Sequence, residues 1–114
     1  MGLSLGALSV DHVLQISEKQ IQTLGQSPVT AVLLPTADLY MKCQYPKARK
    51  MIDENVRVAI ATDFNPGTAP SPDITLAGLL ARLQMGMTLP EVITAYTVGA
   101  SFALNLQSKM GALT

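Results

Sequence analysis

The sequence predicts an α/β fold in which three parallel strands alternate with helices, β-α-β-α-β-α with one extra helix at the end. Three observations carry this. Two short apolar runs rich in β-branched residues, Val29–Leu34 and Val56–Ala61, have the character of strands buried on both faces. Each is followed by turn chemistry: Pro35 after the first, and Asp63-Phe64-Asn65-Pro66-Gly67-Thr68 after the second. Between and after them apolar residues recur at helical spacing, and alternation with short connections implies right-handed crossovers between parallel strands.

Taken in order, the apolar stretch Leu5–Val10 is the expected first strand, leading into Asp11-His12. Ser17 with Gln20 three residues on is a capping-box pattern, so a helix is expected from Ser17 to about Leu24, closed by Gly25. The second strand is Val29–Leu34. Tyr45-Pro46 is read as opening the next helix, with proline in the first turn where its missing N–H costs nothing. Ala48, Met51 and Ile52 supply that helix's apolar stripe, and Asn55 is a candidate left-handed cap. The third strand runs from Val56 to Ala61. Ile74, Leu76, Leu79, Leu80 and Leu83 then mark a helix up to Gly86, and Thr88-Leu89-Pro90-Glu91 caps a last helix through Ala95, Ala100 and Leu104. No linker or internal repeat divides the sequence, and residues 1–114 are read as one domain.

Composition narrows the function classes. Eight Lys+Arg balance eight Asp+Glu, so long-range steering of a nucleic acid is not expected. Hydrophobic residues make up 48% and charged residues only 14%, sparse for a small soluble monomer, whose surface is normally about a quarter or more charged. Much of the surface is therefore expected to be covered in an assembly. No apolar run approaches the roughly 20 residues of a membrane span, and residues 1–10 lack a basic leader and are read as mature sequence. The lone Cys43 gives no intrachain disulfide, and the expected compartment is cytoplasmic. At 114 residues the chain is shorter than a full (β/α)8 barrel, which takes about 250.

The residue with the most chemical promise is Asp63. A carboxylate just past a parallel strand sits where α/β folds bind metals and substrates, and it can serve as metal ligand or general base. It can equally be a turn former whose carboxylate takes backbone N–H groups of the following loop. His12, the single histidine, also follows a strand, on the same sheet edge, with Asp11 beside it. Asn65, Gly67 and Thr68 offer an amide, a close backbone approach and a hydroxyl suited to a small polar ligand, or to an ordinary turn. Tyr40 and Tyr45 flank a segment read as a polar loop.

Together, Gly6-Ala7-Leu8-Ser9-Val10-Asp11-His12, Thr30-Ala31-Val32-Leu33-Leu34-Pro35, Tyr45-Pro46-Lys47-Ala48-Arg49, Ala61 through Thr68, Met87-Thr88-Leu89-Pro90-Glu91 and Ala95-Tyr96-Thr97-Val98 resemble imidazolonepropionase, of the amidohydrolase superfamily. That resemblance implies a truncated (β/α)8 barrel, its last three βα units. It also implies metal-dependent hydrolysis of 4-imidazolone-5-propanoate to N-formimidoyl-L-glutamate in histidine degradation. By resemblance, Asp63 matches the acid that binds Zn or Fe and helps activate water, His12 matches a catalytic histidine near the substrate, and Asn65, Gly67 and Thr68 match loop positions that hold it. The family's His-x-His pair and further metal-binding histidine have no counterparts here. Tight metal binding by this chain alone is therefore not expected, nor is activity alone. Thr36 stands where the family usually has glycine, and Gly99 where it usually has asparagine. Three βα units would leave two strand edges and the inward sheet face open, so the expected partners are further copies of this chain or a complementary barrel fragment. A half of a split hydrolase and a non-catalytic interaction module are the alternative readings.

Overall fold

The computed structural model describes residues 2–113. Three short parallel strands, β1 (Ser9–Asp11), β2 (Thr30–Leu33) and β3 (Arg57–Ile60), form one sheet in the order β1-β2-β3. Thr30 pairs with Ser9 on one side and with Arg57 on the other, so the three strand ends are nearly level. The helices are α1 (Glu18–Gly25), α2 (Pro35–Met41), α3 (Ala48–Asp53), α4 (Ile74–Met85), α5 (Leu89–Thr94) and α6 (Ala100–Ala103). None of them is long and apolar enough to cross a membrane.

Strand alternation divides the sheet into two faces. Ala31, Leu33, Val58 and Ile60 enter the main core with Ile21 and Leu24 of α1, Met51 of α3, Ala77, Ala81 and Met85 of α4, and Val92 and Ala95 further on. Thr30, Val32, Ala59 and Ala61 lie on the opposite face, the one expected to lie bare. It is partly covered by the chain itself: α6 lies against β2 and β3, Phe102 stacks on the Arg57 guanidinium at 3.6 Å, and Thr30 and Ala59 are buried. The Cα radius of gyration, 13.3 Å, matches the value of about 13 Å for a compact chain of this length.

Both capping boxes form. Ser17 Oγ accepts from Gln20 N while the Gln20 side chain accepts from Ser17 N, and Thr88 and Glu91 make the same reciprocal pair. Asn55 takes the left-handed conformation at φ 63°, and Gly86 caps α4 at φ 67°. Asp73, not foreseen as a cap, accepts from Thr75 N and Leu76 N at the start of α4.

Four expectations are corrected and one element is added. The first strand is Ser9–Asp11 rather than Leu5–Val10, because Gly2–Leu5 winds into a 3₁₀ turn and Gly6 reverses direction at φ 72°. A helix that was not expected follows β2, with Pro35 in the first turn of α2, and the loop flanked by Tyr40 and Tyr45 begins at Lys42. Pro46 precedes α3, whose N-cap is Lys47. On α4 the core-facing stripe is small, Ala77, Gly78 and Ala81 beside Leu80 and Met85, while Leu79 and Leu83 point outward. The closing helix is interrupted at Ala95–Gly99 by a π-helical turn, where Gly99 lies against the backbone of β3.

Candidate active site

Every candidate residue gathers at the carboxyl edge of the sheet. His12 continues the β1–β2 pairing one step beyond the strand, its N–H donating to Val32 O at 3.0 Å. The chain then reverses sharply: His12 and Val13 are both left-handed, at φ 64° and 47°, and Val13 N donates to Asp11 O at 2.8 Å. A β-branched residue at positive φ is strained, and such strain concentrates at functional sites. Asp63, three residues past β3, is also left-handed at φ 53°.

The strands that carry His12 and Asp63 are not neighbours. β2 lies between them, so their backbones are separated by two strand spacings, about 10 Å. Because β2 ends at Leu33 and turns into α2, the two side chains meet over its end: His12 Nε2 stands 3.9 Å from Asp63 Oδ2. That distance is too long for a hydrogen bond and admits an ion pair when the imidazole is protonated. Both remain open, with side-chain exposures of 48% and 35%.

Asp63 was open to two readings from sequence. Among the described residues, no backbone N–H donates to its carboxylate; Asn65 fills the turn-forming role instead. The Asn65 Oδ1 accepts from Gly67 N at 2.9 Å and Thr68 N at 2.8 Å, while Nδ2 donates to Asp63 O at 2.7 Å and Thr68 Oγ1 at 2.8 Å. A bridge between Asn65 and Ala69 closes the loop. Asn65, Gly67 and Thr68 thus form a rigid clasp that leaves the Asp63 carboxylate free at the edge.

Sequence reasoning missed Asp38. It sits on α2, which follows β2, the strand between those that lead to His12 and Asp63, and is only 2% exposed. Burial pushes its carboxyl up to about 6; the His12 charge opposes that shift and the Asp63 charge adds to it. Tyr45, half-buried against the main core, has its phenol pushed up by burial and then by Asp38. A single acid in a segment to which no element was assigned gave no signal until α2 was seen to carry it past the strand end.

No cluster of three or more His, Cys, Asp or Glu side chains suited to a metal ion occurs among the described residues, whereas a catalytic zinc takes three protein ligands. Asp63, with His12 across the gap, supplies at most part of such a set.

This geometry, acid and imidazole at the carboxyl ends of parallel strands, is that of a barrel-type hydrolase edge, and the chain belongs to the amidohydrolase family, whose model matches residues 6–114. Among curated proteins it is 65% identical over 113 residues to imidazolonepropionase of Bdellovibrio bacteriovorus, and 42% identical over 113 residues to that of Brevibacillus brevis. The resemblance to imidazolonepropionase read from the sequence is thereby borne out. Each alignment covers 99% of this chain and 27% of the relative, so the chain spans about a quarter of their length. Among solved structures, an adenosine deaminase from Xanthomonas campestris with bound zinc superposes with a TM-score of 0.88 at 20% identity, over 96% of this chain and 27% of that one. Guanine deaminase of E. coli gives 0.75 at 22% identity, over 90% and 25%. These likenesses establish the fold: three parallel strands with their helices, arranged as in amidohydrolase barrels.

Proposed function

We propose that this chain supplies the Asp63 side of an imidazolonepropionase active site, which opens the ring of 4-imidazolone-5-propanoate to N-formimidoyl-L-glutamate in histidine degradation. The observation that carries it is the meeting of His12 and Asp63 over the end of β2 in a chain 65% identical to such an enzyme. In that reaction water adds to the ring carbonyl, the carbonyl C–N bond breaks, the carbonyl carbon becomes a carboxylate and the departing nitrogen gains a proton. Asp63, free of loop hydrogen bonds, takes the proton of the attacking water. His12, 3.9 Å away and half exposed, holds the developing charge and passes a proton toward the departing nitrogen. The Asn65, Gly67 and Thr68 loop fixes the wall against which the ring lies.

With too few donors for a metal, the chain by itself is inactive. The remaining ligands come from a complementary barrel segment, since each copy of this chain carries a single histidine. The exposed Leu39, Tyr40, Met41 and Phe64 beside the site, and Leu79 and Leu83 on α4, are the surfaces such a partner covers. The test is metal analysis and turnover of imidazolone propionate by the purified chain, alone and mixed with a segment carrying the first five βα units of a relative, with light scattering on both samples. The expected result is neither metal nor turnover alone, and both in a higher-mass complex. Turnover by the isolated chain, or an inert monomer in both samples, refutes it.

A further inference from the structure

Val13 breaks the alternation that β1 sets up. Successive side chains of a strand point to opposite faces and Val10 packs against the main core, so an extended continuation would send His12 to that core face and Val13 to the other. The structure exchanges them. Val13 joins Val10, Leu3 and Ile16 against the main core, while the His12 side chain stays half exposed and comes within 3.9 Å of Asp63. A three-residue turn makes the exchange: Val13 N donates to Asp11 O at 2.8 Å around His12 at φ 64°, and Val13 follows at φ 47°. Such a turn with positive φ is rare and strained, and a β-branched residue next in line adds to the cost.

Among the described residues no side-chain hydrogen bond fixes the imidazole, and the one carboxylate within ion-pair range is Asp63 itself. The aim of His12 is therefore set by its backbone. That backbone is held by Val13, whose isopropyl group gains cover in the core only when the chain reverses. We propose that Val13 is a positioning residue of the strand-end site: its burial keeps His12 over the end of β2 and directed at Asp63. The inference rests on the reading of His12 and Asp63 as one site, and adds what aligns them. Val13 acts through His12 and touches no substrate. A cleft of about 270 Å³ lies beside it, bordered by Leu3, Val10 and Ile16, which leaves room for the extra methylene of an isoleucine.

The test follows, by NMR on the isotope-labelled 114-residue chain, the cross-peak between the ring protons of His12 and the β protons of Asp63. It compares the parent with Val13→Gly, Val13→Ala and Val13→Ile, with thermal midpoints recorded. Val13→Gly removes the anchor and relieves the positive φ together, so the cross-peak should vanish while the midpoint stays close to that of the parent. Val13→Ala keeps the strain and loses most of the cover, and should weaken the cross-peak; Val13→Ile should retain it. In the enzyme completed by the first five βα units of a relative, Val13→Gly is expected to lower kcat by about a hundredfold with KM unchanged, and Val13→Ile to keep most of kcat. An undiminished cross-peak in Val13→Gly, or loss of the fold in both Val13→Gly and Val13→Ala, overturns the positioning role and leaves the site reading standing. Full turnover by the completed enzyme carrying His12→Ala overturns the site reading alone, and absence of the cross-peak in the parent chain overturns both.

Discussion

Replacing Gly99 by alanine tests how tightly the closing helix is seated on the sheet. A Cβ at this position would collide with the Val58 carbonyl, and the obstacle is strand backbone rather than a yielding side-chain tip. Two effects oppose each other. Alanine is favoured over glycine within a helix by about 1 kcal/mol. Overpacking in a close-packed region costs typically about 1–3 kcal/mol and occasionally more, and a clash with strand backbone belongs at the upper end. The net expectation is a loss of about 1–2 kcal/mol, a fall in melting midpoint of roughly 4–8 °C for a domain of this size. Circular dichroism during heating and urea titration would measure it, and the loss should be largest for amides of β3. Gly78→Ala is the comparison. There the added Cβ meets the Tyr96 side chain, whose hydroxyl donates to Ile74 O at 2.6 Å and can swing away, so the cost is the smaller one. An Asn at position 99, usual in the family by resemblance, faces the same obstacle unless the π turn relaxes. If Gly99→Ala is as stable as the parent, the helix does not rest on β3 as described and the reasoning fails.

Glu91 is held down to about 2, first by the Arg49 guanidinium, whose Nη1 and Nη2 each donate to it at 2.9 Å, and then by Thr88 N. A carboxylate with a lowered folded-state pKa contributes stability that is present above about 4.5 and lost as pH falls toward 2, so Glu91→Gln should flatten the acid limb of a pH-dependent unfolding curve in that window. Asp38 has the opposite sign. Its folded-state pKa is raised from 3.8 to about 6, the folded state binds the proton better, and stability should fall as pH rises through that interval; Asp38→Asn should remove this slope in denaturant titrations run from pH 4 to 7. Thr88→Ala removes the α5 cap and should cost about 1 kcal/mol by urea unfolding. Asn65→Ala removes the clasp of the Asp63 loop, so amide exchange at Gly67 and Thr68 should quicken markedly while the main core keeps its protection.

What could be read from the sequence was whatever is encoded locally. The two capping boxes, the left-handed Asn55 and the glycine stop after α4 each depend on a few adjacent residues, and each is found where the pattern put it. The parallel pairing followed from alternation alone. The errors lie where tertiary packing overrode pattern. Leu79 and Leu83 have helical spacing, yet the tight approach of Tyr96 to Gly78 gives the inner face of α4 to small residues and leaves the leucines outside. The π turn at Ala95–Gly99 has no sequence signature other than the glycine that lets it approach β3. His12 and Asp63 were rightly assigned to one sheet edge from their positions after strands. Asp38 was invisible because its meaning depends on α2 folding back over the end of β2, a contact between elements rather than a motif.

The fold and the site draw on different parts of the chain, and that separation bears on what the chain does. The main core uses Ala31, Leu33, Val58 and Ile60 against four helices, all on the face turned away from the opposite side of the sheet, and α6 shields part of that opposite side. None of these contacts requires His12, Asp38 or Asp63. Those three residues sit beyond the strand ends, two of them in strained backbone and the third buried without a partner, which is a cost to stability rather than a contribution. A chain whose only role was to fold and present helices would gain from replacing them: glycine at His12 and Val13 would relieve the positive φ, and leucine at Asp38 would remove the unmatched acceptor. Their grouping at one edge is what the proposed site requires, stability being given up there for chemistry. Hence the combined replacement of His12 by Gly and Asp38 by Leu should raise the melting midpoint above that of the parent while abolishing turnover in the complemented enzyme. A lower midpoint would mean that these residues hold the strand ends together, and that the edge is structural.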